Sequence, residues 1–408
     1  MHTKNLGTLL IAVALISGAI IYLESGKVSP LTTSGSAPIV AVPTTSAEEG
    51  DTKKGTVALS ALDLKEKEAK YERAKEITTP DGFINTSTPS TGSGQESGVQ
   101  APLTISELIG KKVILLDIWT YSCINCQRTI PYLNSWQEKY GDKGLVIIGL
   151  HTPEFEFEKK YDNVLSAVKK FGIKYPVVLD NDYSTWQAYK NQYWPRKYLI
   201  DIDGYIVADH IGEGGYEETE REIQKALTER MIRLGDTGQI DTALTKERVA
   251  TTRPESPEIY FGASRNDSLA NGKKGSIGTQ TLVLPEEGVL NRLYLGGEWS
   301  MFPEYAENTS DGATIVFRYK AQDVYFVASS EVGTDVQIYQ DGVLVKGKGA
   351  INCKDAGFCG GDEVMPDGVV FIKEDRLYKL IQNNGTEEHV LKIKIKNPGL
   401  KAFTFTFG

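Results

Sequence analysis

The chain is poor in the residues that hold metals and crosslinks, with four cysteines and four histidines among 408 residues. So few cysteines exclude a disulfide-dense scaffold. Four histidines, His2, His151, His210 and His389, leave little for an all-protein metal centre. Basic residues are in deficit, 45 Lys and Arg against 54 Asp and Glu for a net charge of −9. That balance is unlike a nucleic-acid binder, which would usually show a basic face. The haem-attachment pattern C-x-x-C-H is absent. Gly212-Glu213-Gly214-Gly215-Tyr216 lacks the spacing and the lysine of a phosphate-cradling P-loop; it reads as a tight backbone approach ahead of a helix over 217–232. What is abundant is glycine, 40 residues, a sign of turn-rich β structure or flexible segments. Apolar residues at 40 % and charged residues at 24 % are ordinary for a folded protein. The length suits two domains with connecting segments.

One long hydrophobic run stands out, residues 6–23 (LGTLLIAVALISGAIIYL), with no charge. At about 1.5 Å per residue it reaches about 27 Å, enough for a bilayer's hydrocarbon core. It is expected to be a transmembrane signal-anchor behind a cytoplasmic N-terminus of residues 1–5, a cleaved signal peptide being the alternative. Either way the rest of the chain is expected to be exported, in the periplasm or at the cell surface of a bacterium. Residues 24–54, rich in Ser, Thr, Pro and Gly, read as a flexible tether. Residues 55–78 read as a helical lead-in whose KEKEAKYERAKE run is a solvated face. Residues 87–100, STPSTGSGQESGVQ, read as a second flexible stretch.

The chemistry is concentrated between Lys111 and Tyr140. Val113-Ile114-Leu115-Leu116 is a short continuous apolar run of the kind found in buried parallel strands. Asp117, Ile118 and Trp119 extend it, and Thr120-Tyr121-Ser122 leads into Cys123-Ile124-Asn125-Cys126. Ile130, Leu133 and Trp136 then recur at helical spacing, with Pro131 expected to kink the helix. The C-x-x-C therefore falls where a strand ends and a helix begins. Unpaired N–H groups and the helix dipole there favour a thiolate on the first cysteine. Cys123 is expected to attack and Cys126, one turn deeper, to resolve the mixed disulfide. Half of a zinc knuckle is the competing reading, but the remaining cysteines, Cys353 and Cys359, lie far away and no tight ligand cluster is visible. A peroxidatic P-x-x-x-T-x-x-C pattern is matched at Thr120 and Cys123 but has Leu116 in the proline position.

The segment LLDIWTYSCINC resembles the active-site stretch of the thioredoxin fold. The resemblance implies that Asp117 is a buried acid serving the resolving thiol, a strand-end cap being the plainer alternative. It also implies that Trp194-Pro195 is the cis-proline turn facing the cysteines, with Trp194, Pro195, Trp119 and Tyr121 as substrate contacts. An ordinary trans proline at a strand start is the other option. IWTYSCINCQRTIPYL, GLHTPEFEFE, DNDYSTWQAYKNQYWPRKYLID and GEGGYEETE closely resemble the extracytoplasmic redox half of DipZ proteins, over roughly residues 71–408. Those proteins act in cytochrome c biogenesis and thiol-disulfide transfer and are related to the TlpA group. The chain departs from them in having one hydrophobic span, so the resemblance implies a separate membrane electron donor of the CcdA/DsbD type. His151, Glu154, Glu156 and Glu158 follow a strand over 144–149, where a loop-fastening role competes with substrate contact or proton relay.

After a linker over 236–257 the pattern turns to alternating strands. Lys392, Lys394 and Lys396 interleave with Leu391, Ile393 and Ile395, and Phe403, Phe405 and Phe407 alternate with Ala402, Thr404 and Thr406. Asp341-Gly342 between two β-prone runs reads as a hairpin turn. Such strands favour an antiparallel β-sandwich over 258–408, and the DipZ resemblance implies a jelly-roll, carbohydrate-binding-like domain there. Tyr294, Trp299, Phe302 and Tyr305 are candidates for a sugar-stacking platform or, alternatively, for core and interdomain packing. Cys353 and Cys359 flank a loop and are expected to form a structural disulfide in an exported chain.

The sequence thus predicts an α/β thioredoxin-like domain over 79–235, an all-β sandwich over 258–408 and an N-terminal transmembrane helix. The expected activity is thiol-disulfide exchange, in the direction of reducing protein disulfides such as those of apocytochrome c. It needs no cofactor or metal beyond the Cys123–Cys126 pair. A thiol peroxidase and an envelope glycan- or protein-binding module are the alternatives.

Overall fold

The structure, a computed structural model, describes residues 61–86, 101–247, 253–347 and 358–408. The expected anchor and tether, the 87–100 stretch and Cys353 lie outside the described residues, and no described helix is long and apolar enough to cross a membrane. The described residues form one compact unit.

The first half is built on a six-stranded sheet. Its strands are β1 (Gly82–Ile84), β2 (Val113–Trp119), β3 (Leu145–His151), β4 (Val177–Leu179), β5 (Arg196–Ile200) and β6 (Ile206–Ile211). They lie in the order β1-β4-β3-β2-β5-β6. Strands β2, β3 and β4 are parallel, while β5, β6 and β1 run against their neighbours. Every residue of β2 is buried, as its unbroken apolar run requires. Helices cover the faces: α1 (Ala61–Lys70), α2 (Ile124–Tyr140), α3 (Tyr161–Lys170), α4 (Ser184–Ala188) and α5 (Tyr216–Leu234). Helix α2 buries Cys126, Ile130, Leu133, Trp136 and Tyr140 at the three- and four-residue intervals of one helical face. Pro131 lies inside it, and the helix continues to Tyr140.

The charged lead-in is mostly exposed, as expected, and one of its residues anchors it: Lys67 on α1 bridges Asp201 at 2.6 Å, Asp203 at 2.9 Å and also Glu229. This triad pins α1 to the β5–β6 turn and to α5. The linker is likewise held, since Glu220 on α5 accepts from the Thr245 N–H at 2.7 Å and Tyr140 donates to the Asp241 carbonyl at 3.2 Å.

The second half is one antiparallel sheet of eleven strands, β7 to β17. Its spine is the pair of long strands β11 (Thr314–Ser330) and β16 (Arg376–Ile395). The early part of β11 pairs with β9 (Leu293–Met301), and its later part pairs with β17 (Leu400–Phe407). Strand β10 (Ala306–Asn308) joins β9 to β17, so these four strands close a circuit. The sheet thereby folds over a single core that includes Trp299, Phe317, Phe326, Phe405 and Phe407. The predicted hairpin joins β12 (Thr334–Gln340) to β13 (Val343–Leu344), with Asp341 (φ 50°) and Gly342 (φ 81°) both left-handed as a tight hairpin turn demands.

The two halves share a packed interface. Phe403 stands edge-on to Phe155 and Phe157, with ring centres 5.2 and 4.8 Å apart. Glu154 Oε1 accepts from the Tyr260 hydroxyl at 2.9 Å and from Arg265 at 2.7 Å.

Candidate active site

The period-two geometry of strands builds the floor of the site. On β2, Val113, Leu115, Asp117 and Trp119 share the face turned to α2, so Asp117 is carried beneath the start of that helix among apolar neighbours. Asp117 lies directly across from Lys197 on antiparallel β5, which puts both side chains on the same face. Both are buried, Asp117 at 2 % exposure and Lys197 at 1 %. On the other flank β3 places Gly149 opposite Asp117. A Cβ at Gly149 would lie 2.9 Å from Trp119 Nε1 and 3.2 Å from the Tyr175 ring, so only glycine lets these aromatics close over the acid.

Cys123 is the N-cap of α2, in extended conformation, and its Sγ accepts the Cys126 N–H at 3.4 Å. Both cysteines are free thiols, Cys123 partly exposed and Cys126 buried. Burial, helped by the neighbouring Cys123 and by Asp117, raises the Cys126 thiol well above its ordinary value. Burial also lifts the Asp117 carboxyl to about 7, with the Lys197 charge pulling the other way. Lys197 is itself lowered by burial, against the pull of Asp117, Cys126 and Glu213. Its ammonium donates to the Gly212 carbonyl at 3.2 Å, and the Gly212 N–H donates to the Pro195 carbonyl at 2.8 Å. The glycine loop thus makes the tight approach expected of it, and it carries Glu213 to Arg128 on α2 at 3.3 Å. Asp117 Oδ1 and Glu213 Oε2 are buried without a hydrogen-bond partner among the described residues.

The Trp194–Pro195 peptide is cis. Trp194 Nε1 donates to the Thr152 carbonyl at 3.0 Å, and its ring lies 4.3 Å from that of Trp186. The predicted contact residues divide. Trp119 is 1 % exposed and edge-on to His151, so it supports the site from within and presents no surface to a substrate. Tyr121 is also largely buried; its ring stacks on His151, and its hydroxyl donates to the Asp375 carbonyl of the β-domain at 2.9 Å.

The loop after β3 is a fastener. Glu158 is fully buried and accepts from Ser122 N–H at 3.2 Å, Ser122 Oγ at 2.7 Å, Glu154 N–H at 2.6 Å and Phe155 N–H at 3.0 Å. It therefore ties the residue before Cys123 to the 154–158 turn. His151 accepts the Tyr121 N–H at 3.3 Å, and burial pushes its imidazole down to about 3, so it stays neutral and structural. Glu156 is a surface residue paired with Lys159.

Lys197 is the site residue that the sequence reading passed over. Its signal was a lysine after Arg196 at the head of the apolar run Tyr198-Leu199-Ile200, with an acid within the apolar strand that precedes the cysteines. The sugar platform is not assembled: Trp299 is buried in the β-domain core and donates to the Gly296 carbonyl at 3.0 Å, while Tyr305 packs on Phe403. Cys359 is disulfide-bonded; Cys353, its expected partner, lies outside the described residues. Among the described residues the one cluster of potential metal ligands is Asp201, Asp203 and Glu229, the cluster already engaged by Lys67.

Both halves of the chain are similar to known proteins. A family model described as Redoxin matches residues 88–227, and one described as Thioredoxin like C-terminal domain matches residues 256–408. The DipZ proteins of Mycobacterium bovis and Mycobacterium tuberculosis are each 39 % identical to this chain over 245 residues, 59 % of this chain and 34 % of theirs. The chain thus spans about a third of the length of those relatives. The thiol-disulfide oxidoreductase ResA of Bacillus cereus is 33 % identical over 138 residues, 31 % of this chain and 77 % of that protein. A solved thioredoxin-like protein in its oxidized form matches with a TM-score of 0.33 at 24 % identity, over 39 % of this chain and 97 % of that one.

Proposed function

For a chain that belongs to the thioredoxin-like thiol-disulfide oxidoreductases and is homologous to the DipZ proteins, we propose that Cys123 and Cys126 reduce disulfides of exported proteins. The observation that carries this reading is the pairing of a partly exposed Cys123 at a helix N-terminus with a buried Cys126 above a carboxyl poised near neutrality.

Cys123, as thiolate, attacks one sulfur of a substrate disulfide and forms a mixed disulfide, and the second substrate sulfur leaves as a thiolate that takes up a proton. Asp117, ionised above about pH 7, accepts the Cys126 proton. The Cys126 thiolate attacks Cys123 Sγ, breaks the mixed disulfide and releases the first substrate sulfur, to which Asp117 returns the proton. Two electrons pass to the substrate, and the enzyme is left with a Cys123–Cys126 disulfide. Lys197 keeps the Asp117 carboxylate attainable in an apolar setting. No described residue takes up the Trp194 main chain, which leaves it available to pair with an extended substrate segment beside Pro195.

The wider setting rests on sequence. The 6–23 run would hold the protein at the outer face of the membrane, with the β-domain as a jelly-roll-like module. Electrons would come from a separate membrane donor, and apocytochrome c is the substrate class suggested by the family. The test is trapping. Cys126→Ser should accumulate a mixed disulfide with substrate through Cys123, and Cys123→Ser should form none. Equal trapping by both variants, or by neither, would refute the assignment.

A further inference from the structure

A cleft of about 890 Å³ opens between the redoxin half and the β-domain, beginning at the active-site loop. Tyr121 and Leu377 both line it and both belong to the apolar cluster on which Cys123 packs. One wall comes from α2 and α3, with Gln127, Asn163 and Lys170; the other comes from the β-domain, with Ser330, Lys373 and Lys401. Neither half alone makes it.

Its charge runs against that of the chain. The lining holds five basic residues and three acidic ones, in a protein of net charge −9. Two of the acids are occupied, Asp375 by Lys160 at 3.3 Å and Glu374 by Arg376 at 2.8 Å. Lys170, Lys373 and Lys401 have no ion pair among the described residues. Ser330 is 1 % exposed, and its Oγ has no hydrogen-bond partner among the described residues. The Lys170 ammonium lies 6.0 Å from the Phe171 ring centre and that of Lys401 5.6 Å from Tyr305, contacts that leave their charge unneutralised. With Glu331 as the one remaining acid of the lining, the three lysines stand at the end of α3, between β15 (Val369–Ile372) and β16, and on β17, so they are spread over both walls. Positive charge distributed over both walls is complementary to an extended chain bearing several carboxylates.

We propose that this cleft docks an acidic segment of the substrate polypeptide, flanking the disulfide presented to Cys123. The proposal deepens the redox reading above and rests on it for the identity of the occupant. The cleft supplies complementary charge and a buried hydroxyl beside the active-site loop, at Tyr121 and Gln127, but outside the catalytic group.

The test uses the full chain and three labelled peptides of equal length, one rich in Asp and Glu, one neutral and one rich in Lys, with binding read by fluorescence anisotropy. The acidic peptide should bind about tenfold or more tighter than the neutral one, a difference of about 1.4 kcal/mol. Its affinity should fall with added salt. The variant K170Q/K373Q/K401Q, changed only at surface side chains, should lose that preference. A disulfide placed beside the acidic segment should also be reduced about tenfold more efficiently than one beside the neutral segment, and the triple variant should abolish the difference. Reduction of bis(2-hydroxyethyl) disulfide, too small to reach the cleft, should be the same in wild type and variant. Loss of that small-disulfide activity in the wild type would overturn the redox reading itself. Equal binding of all three peptides, or selective binding with no preference in reduction, would overturn the docking proposal. Inorganic polyphosphate binding with no peptide binding would overturn it in favour of an anionic polymer.

Discussion

Replacing Asp117 by Asn separates two consequences of one buried carboxyl. The group is raised from an ordinary 3.8 to about 7, chiefly by burial. At about 1.4 kcal/mol per tenfold change, that favours the neutral form by about 4 kcal/mol. The sign follows from proton counting. Between about pH 4 and 7 the folded protein keeps a proton that the unfolded chain has released, so stability falls as pH rises through this window and the full cost is present above about pH 7. Asp117→Asn carries no such cost and should gain stability relative to wild type by about 2.5 kcal/mol between pH 5 and pH 8. Turnover should respond in the opposite sense. The ionised fraction of Asp117 climbs from about one-tenth at pH 6 to about nine-tenths at pH 8, so the resolving step should accelerate about tenfold over that range. In the variant this rise should vanish, with a loss of about a hundredfold or more at pH 8. Urea unfolding of the reduced protein reads the first effect. The second is read with 5,5′-dithiobis(2-nitrobenzoate): attack by Cys123 releases one chromophore, and resolution by Cys126 releases the other. A resolving rate flat between pH 6 and 8 in wild type, together with a stability difference that does not change with pH, would refute the role assigned to Asp117.

Other substitutions probe the scaffold around it. Lys197→Met removes the charge that pulls the Asp117 carboxyl down, so the pH at which the resolving step reaches half its maximum should move upward; an unmoved profile would detach Lys197 from the site. Glu158→Ala strands four buried or partly buried donors, and at about 1–3 kcal/mol for each orphaned group it should cost about 3 kcal/mol or more in chemical denaturation. Phe403→Ala empties the aromatic contact between the halves and should cost about 3–5 kcal/mol by the same measurement.

What could be read from the sequence follows from how local each feature is. The strand-to-helix placement of the C-x-x-C was legible because Val113 to Leu116 and Ile130, Leu133 and Trp136 carry their own periodicities. Trp299 was legible as core in the same way, since Leu293, Leu295, Trp299 and Met301 share one face of β9. Lys197 was not, because its meaning depends on β5 lying antiparallel to β2 in one particular register. Phe403 misled for a different reason. Strict alternation puts Phe403, Phe405 and Phe407 on one face. In the fold, the β11–β17 register breaks at this point: Val327 pairs with Thr404 and Ala328 with Ala402, leaving Phe403 as the bulged residue. The bulge turns Phe403 toward the redoxin half while Phe405 and Phe407 stay in the β-domain core. The interface, and with it the cleft beside Tyr121, comes from pairing that no single segment encodes.

As a reductant, the protein would use Cys123 and Cys126 as a reversible couple that delivers electrons to substrates. Equilibrating the protein in graded thiol–disulfide buffers, with mass spectrometry locating each disulfide, tests it directly. The expected result is a Cys123–Cys126 disulfide with a potential near about −270 mV, in the range of reductants. A couple nearer about −120 mV would make the protein an oxidant, and the absence of any Cys123–Cys126 disulfide would contradict the catalytic reading altogether.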